Sequence, residues 1–273
     1  MTNETTVLGT CVNSFVITRT YTATDVCGNT TSCTQVINVN DNIPPDITCP
    51  PQITVTCASD VPQPNINAIT ATDNCVGAVT VIFVSDVISG QTCANKYVIT
   101  RTYRATDICG NFSTCTQIII VNDNVNPVIS CPASISGIQC GSALPVAYAN
   151  AAQFITAGGL VSDNCSGTVT VAMTNQVTVP GSCANSFVTI RTYTATDVCG
   201  NTASCNQTIT ISDNTPPTIT CPVNITVPCA SAVPTANIAL VTTSDNCAGV
   251  ITVTVAADAV SYTQLKLPTS DQV

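Results

Sequence analysis

Apolar and polar residues alternate along much of the chain. From Val98 to Thr106 they trade places nearly residue by residue (Val98-Ile99-Thr100-Arg101-Thr102-Tyr103-Arg104-Ala105-Thr106), the period of a half-buried β-strand. Thr, Val and Ile, which suit a pleated surface, are abundant. Turn formers punctuate the pattern at Pro44-Pro45, Asp73-Asn74 and Cys109-Gly110-Asn111. Within residues 44–123 this predicts strands over Ile47–Cys57, Asn65–Thr72, Val79–Ser85, Tyr97–Thr106 and Thr114–Val121.

The pattern repeats. Ile47-Thr48-Cys49-Pro50 returns as Ile129-Ser130-Cys131-Pro132 and Ile219-Thr220-Cys221-Pro222, at periods of 82 and 90 residues. The stretch Arg19 to Asn29 returns at Arg101 to Asn111 and Arg191 to Asn201. A repeat of about 80 residues with short strands predicts an all-β array of tandem immunoglobulin-like sandwiches, extended as a rod or filament. A β-solenoid is the competing reading, but its repeats usually run to about 20–30 residues. The repeats divide the chain into a C-terminal half-repeat (1–40), a complete repeat (41–122), a second complete repeat (123–212), an N-terminal half-repeat (213–258) and a divergent tail (259–273). The second complete repeat is longer, and its excess around 149–159 reads as an inserted loop.

Composition narrows the class. Lys and Arg number 6 against 15 Asp and Glu, for a net charge of −9. Six scattered cations cannot build a nucleic-acid-binding face. The absence of His removes imidazole acid–base chemistry and His-containing zinc sites. No apolar run reaches the ~18 residues of a membrane span, so no membrane insertion is expected. Eighteen cysteines without a single Cys-x-x-Cys pair favour disulfides over metal binding, and hence an exported, extracellular or cell-surface protein. Met1-Thr2-Asn3-Glu4 opens no signal peptide, which predicts a processed chain or a piece of a longer one.

Cys-Pro near a strand start, Thr72-Asp73-Asn74 in mid-repeat and Ala105-Thr106-Asp107-Ile108-Cys109-Gly110-Asn111 before the last strand resemble hyalin-repeat (HYR-like) immunoglobulin-like domains. The cysteine-rich, Thr-rich text also resembles the repeats of large flavobacterial-type cell-surface adhesins. The resemblance implies a module in such an adhesin or fibre rather than an enzyme. It covers about residues 1–258.

Alternating strand directions put Cys49, Cys75, Cys109 and Cys115 at one end of a repeat, the top, and Cys57 and Cys93 at the other. Cys57–Cys93 is then the expected bottom bridge. Cys93 cannot reach Cys109 if one strand joins them, because 16 residues span about 50 Å against the ~7 Å a disulfide allows. The resemblance favours Cys49–Cys115 at the top, with Cys75–Cys109. Cys109–Cys115 with Cys49–Cys75 stays open. The next repeat follows as Cys131–Cys205, Cys140–Cys183 and Cys165–Cys199. The two half-repeats would then complete each other between subunits through Cys11–Cys229, Cys27–Cys247 and Cys33–Cys221, giving a head-to-tail polymer. Alternatively, flanking repeats of a longer chain complete them. The tail's departure from the repeat, with Leu265 where a cysteine would align, favours that second reading.

Nine of the fifteen acids fall in three repeat columns: Asp41, Asp123 and Asp213; Asp73, Asp163 and Asp245; Asp25, Asp107 and Asp197. The strand directions gather one member of each beside every linker, with Asn42, Asn74 and Asn111 nearby. Hard oxygen ligands of this kind suit Ca²⁺ at the interdomain junctions. Asn38 to Pro44 also resembles the calcium-binding linker of cadherins. The competing reading is that Asp and Asn simply cap turns. Arg19, Arg101 and Arg191 read as structural, as do Tyr21, Tyr103 and Tyr193. Asn3, Asn29, Asn111, Asn164, Asn206 and Asn224 head glycosylation sequons. The second functional reading is a glycan- or surface-binding adhesin acting through variable loops such as 149–159.

Overall fold

A computed structural model describes residues 3–181, 183 and 185–256. The divergent tail lies outside the described residues. The chain is all-β, built as tandem immunoglobulin-like sandwiches. The first half-repeat is a three-stranded antiparallel sheet of β1 (Asn3–Leu8), β2 (Ser14–Thr24) and β3 (Thr30–Asn40), in that order.

The first complete repeat contains β4 (Asp46–Thr48), β5 (Ile53–Val55), β6 (Thr70–Thr72), β7 (Thr80–Cys93), β8 (Lys96–Thr106) and β9 (Phe112–Asn122). β4 pairs antiparallel with β6, while β5, β9, β8 and β7 form the facing four-stranded sheet. The single first strand expected from the sequence is therefore two. Pro50 and Pro51 offer no N–H to a ladder, so the chain breaks there and switches sheets, and β5 runs parallel to β9. The segment 65–72 is likewise mostly turn, with a 3-10 helix at Ile66–Ala68 before β6. The third strand continues past Ser85 to Cys93, where a hairpin turns into β8.

Alternation on β8 and β9 builds the core. Ile99, Tyr103, Ala105, Ile119 and Val121 point inward and are buried. Arg101 shares this face. Its guanidinium is bound bidentately by Asp86 (2.9 and 2.8 Å) and donates to the Pro62 carbonyl (2.7 Å). A buried cation is tolerable because its donors are matched. The first half of the repeat closes over the second through polar contacts. Tyr103 Oη accepts from the Asn65 N–H (3.2 Å), Gln117 donates to the Pro51 carbonyl (3.2 Å), and Ser113 donates to the Pro45 carbonyl.

The second complete repeat has β10 (Val128–Ser130), β11 (Ile135–Gln139), α1 (Ala151–Thr156), β12 (Leu160–Ser162), β13 (Thr170–Pro180), β14 (Phe187–Thr196) and β15 (Thr202–Ser212) in the same plan. β16 (Thr218–Thr220) and β17 (Thr242–Ser244) pair in the last half-repeat. Two compact units divide the chain. One holds the described residues up to 132 with 148–172 and 193–205; the other holds 133–147, 173–192 and the described residues from 206 onward.

The inserted segment is not a free loop. Asn150 caps α1 by accepting from the Gln153 N–H (3.0 Å), and Phe154 is fully buried against Tyr148 and Tyr193.

Candidate functional site at the domain junctions

Six disulfides join twelve of the cysteines. Cys49–Cys115 and Cys131–Cys205 lie within a repeat, between its first and last strands. The other four cross from one repeat to the next. Cys57 bonds Cys165 and Cys93 bonds Cys199. Cys11 bonds Cys109, and Cys140 bonds Cys247. These replace the expected Cys57–Cys93, Cys75–Cys109, Cys140–Cys183 and Cys165–Cys199. The reason is geometric. Cys57 and Cys93 do lie at the bottom of their repeat, but that end abuts the top of the next one, which carries Cys165 and Cys199. Cα separations of 5.2 Å in both bridges suit a disulfide. Two of the expected intersubunit pairs fall as well, because Cys11 and Cys247 are already bonded. Cys27, Cys33, Cys75, Cys183, Cys221 and Cys229 remain free thiols.

Polar contacts reinforce the same junction. Asn95, 2% exposed, accepts from the Ala58 N–H of its own repeat (3.0 Å) and donates to the Ser166 carbonyl of the next (3.3 Å). Asn164 donates to the sulfurs of Cys57 and Cys165 (3.4 and 3.1 Å).

The acidic columns converge on these junctions but do different work. Asp107 closes its own loop. Its Oδ1 accepts from the N–H groups of Cys109 and Asn111, both at 2.8 Å, and its Oδ2 from the Asn111 side chain (2.9 Å). Gly110 takes the φ of 93° that this turn requires. Burial opposes ionisation of Asp107, but the Asn111 side chain and the surrounding N–H donors outweigh it and hold the carboxyl below its ordinary value. Asp197 and Asn201 repeat the arrangement, as do Asp25 and Asn29. Both oxygens of this column are therefore occupied, which is the capping role. Asn111 also donates to the Asp41 carbonyl (3.1 Å), so this sequon side chain is committed to the linker.

The other two columns keep free oxygens. Asp123 is 2% exposed, and one of its oxygens accepts from the Val125 N–H (3.2 Å). Asp163 spends one oxygen on the Cys165 N–H (3.1 Å). The remaining oxygens, Asp123 Oδ2 and Asp163 Oδ1, are buried without a partner. Asp41 Oδ2 and Asp73 Oδ1 repeat this orphaned pair. In each junction the two carboxylates and the Cys75 or Cys165 sulfur offer atoms within 4.8 Å of one another. Burial first, then the charges of Asp163 and Asp197, pushes Asp123 above the ordinary carboxylate value. Asp213 lies near Cys140 and Cys247 instead, and Asp245 is not in that group. Asn42 and Asn74 are exposed.

Comparison with known proteins agrees with the repeat reading. Residues 45–121 match the family of HYR-like domains with 4 cysteines. The first complete repeat is thus similar to hyalin-repeat domains. The chain is also 34% identical over 219 residues to Hyalin of Lytechinus variegatus, a match that covers 74% of this chain and 38% of Hyalin's length. Neither finding supports a flavobacterial-type origin. Among solved structures, a protocadherin gammaB7 EC3-6 cis-dimer overlaps 78% of this chain and 61% of its own, at 15% identity and a TM-score of 0.30. The human desmocollin-1 ectodomain overlaps 75% and 48%, at 11% identity and a TM-score of 0.24. Six disulfides fit an oxidising extracellular compartment, and among the described residues no helix is long and apolar enough to cross a membrane.

Proposed function

We propose that this chain is a structural module of an extracellular fibre or surface adhesin, whose consecutive domains are stapled to one another so that load passes through covalent bonds. The observation that carries this reading is the pair of bridges, Cys57–Cys165 and Cys93–Cys199, across a single junction. One bridge would leave a swivel. Two bridges from different strands remove most of the relative freedom. Similarity to Hyalin supports an extracellular role. Ca²⁺ belongs to the same proposal. The orphaned oxygens of Asp123 and Asp163, and of Asp41 and Asp73, are hard donors held close in buried positions. They supply part of the six to eight oxygens Ca²⁺ takes, with water completing the shell. The binding-adhesin reading draws less support, because α1 spends its aromatic side chain, Phe154, on the core.

Small-angle scattering of the purified chain with and without reductant tests the stapling. Scattering characteristic of a rigid junction without reductant, changing to that of jointed domains with it, is the expected result. A jointed profile before reduction would overturn the proposal.

A further inference from the structure

The two complete repeats share one plan, so each shows what the fold requires of the other. Position by position, Ile82, Arg104, Phe112, Ile118 and Ile120 of the first stand where the second has Ala172, Thr194, Thr202, Thr208 and Thr210. All five point away from the core. Arg104 lies between the buried Tyr103 and Ala105, with Ile82 opposite it, and the three β9 residues alternate with the inward Gln117, Ile119 and Val121. The first half-repeat has Thr22 and Thr30 at the places of Arg104 and Phe112. The scaffold therefore accepts threonine at both, and folding does not explain the arginine or the ring.

The strand register sets these residues side by side. Ile82, Arg104 and Thr114 form one cross-strand rung, and Thr80, Thr106 and Phe112 form the next. Arg104 and Phe112 are thus diagonal neighbours, within reach of a long side chain and a ring. The Arg104 guanidinium carbon sits 5.5 Å from the Phe112 ring centroid. Arg104 Nε is buried without a hydrogen-bond partner. In the other repeats this rung is closed by a hydroxyl pair, Thr194 with Ser204 (2.8 Å) and Thr22 with Ser32 (2.7 Å). Arginine in place of threonine leaves Thr114 without that partner. Phe112 is 56% exposed and Ile82 40%. The exposure belongs to the position, since Thr202, in the same place beside the junction of the two complete repeats, is exposed as well.

Charge selects the occupant. Arg19 pairs with Glu4 and Arg101 with Asp86, whereas Arg104 has no ion pair among the described residues. Strands β5, β8 and β9 contain no acid, and the one acid of β7, Asp86, is spent on Arg101. In a chain of net charge −9 this sheet face is a cationic, apolar island. A second copy of the same face is a poor partner, because it would bring Arg104 no carboxylate. A guanidinium donor without a partner in partly apolar surroundings is costly, and a planar carboxylate fits its fork. A sugar acid supplies every counterpart at once: a carboxylate for Arg104, a C–H face for the Phe112 ring, and hydroxyls for the exposed Thr80 and Thr114. We infer that the outer face of the first complete repeat binds an acidic polysaccharide, seating a uronate residue on Arg104 and Phe112. This binding function is separate from the stapling of the repeats, and it lies on a sheet face rather than on the inserted segment.

Affinity electrophoresis of the purified chain through native gels containing polygalacturonate tests it, with EDTA present so that Ca²⁺ cannot bridge protein and polymer. Retardation by polygalacturonate, with none by neutral dextran or polyglutamate, is the expected result. Arg104→Thr and Phe112→Thr should each weaken binding at least tenfold and leave the melting temperature unchanged, because the second complete repeat folds with threonine at both places. Lys96→Ser should bind as the parent does. Lys96 lies eight residues from Arg104 along β8, about 26 Å away, and the second repeat has Ser186 there. No retardation, equal retardation by polyglutamate, or a loss in Lys96→Ser as large as in Arg104→Thr would overturn the inference.

Discussion

Pulling on the chain reads the disulfide pattern as a length. With all six bonds intact, the shortest covalent path from Cys11 to Cys247 hops to Cys109, runs back to Cys93, hops to Cys199, runs to Cys205, hops to Cys131, runs to Cys140 and hops to Cys247. The three runs are sixteen, six and nine residues, about 31 in all. At roughly 3.4 Å per residue, plus four bridges with Cα separations of 5.1 to 5.6 Å, full extension is about 130 Å. If every bridge closed within its own repeat, the path would run from Cys11 to Cys49, Cys115 to Cys131 and Cys205 to Cys247. That is about 96 residues, or roughly 340 Å. Full reduction frees 236 residues, roughly 800 Å. Force spectroscopy with handles fused outside these cysteines separates the three lengths. An unreduced chain that stops near 130 Å is the predicted result. Extension to 300 Å or more before reductant is added would refute the junction-crossing pattern.

Other consequences are open to simpler assays. Millimolar Ca²⁺ should raise the melting temperature, and Asp163→Asn should abolish that rise while Asp60→Asn, on an exposed turn, keeps it. Thermal melts across pH test the loop carboxylates. Asp107 and Asp197 have folded values below their unfolded ones, so their contribution is present above the ordinary carboxylate range and is lost as pH falls from there through the lowered folded values. Asn111→Ala should flatten that acid-side loss. Asp123, raised, has the opposite sign and costs stability as pH rises through its own range. Phe154→Ala removes a fully buried ring that packs on Tyr148 and Tyr193. It should cost about 3–5 kcal/mol in denaturant melts, whereas a loss under 1 kcal/mol would show that the insertion is peripheral.

Much of this architecture is legible in the sequence because the repeat reports it three times over. Alternation from Val98 to Thr106 marks β8, and strand direction alone sends Cys57 and Cys93 to one end and Cys109 and Cys115 to the other. The partner choice is not legible in the same way. Six cysteines per repeat is an even number and invites closure within the domain, and nothing local to Cys57 says whether Cys93 or Cys165 is nearer. That depends on how the bottom of one domain meets the top of the next. The acidic columns show the same limit. Their convergence follows from strand direction. Which carboxylates keep a free oxygen depends on Asn111 and Asn201, whose place four residues after Asp107 and Asp197 hints at a closed turn without showing it. The sheet switch at Pro50-Pro51 could have been anticipated from the two missing donors. The helix Ala151–Thr156 is too short for its period to stand out, and the Asn150 cap was its one signal.

The central claim is that two disulfides join the two complete repeats to each other. Peptic digestion of the unreduced chain in acid, which prevents thiol exchange, followed by mass spectrometry of the linked peptides tests it most directly. The account predicts one peptide pair containing Cys57 and Cys165 and another containing Cys93 and Cys199. A pair joining Cys57 to Cys93 would contradict it.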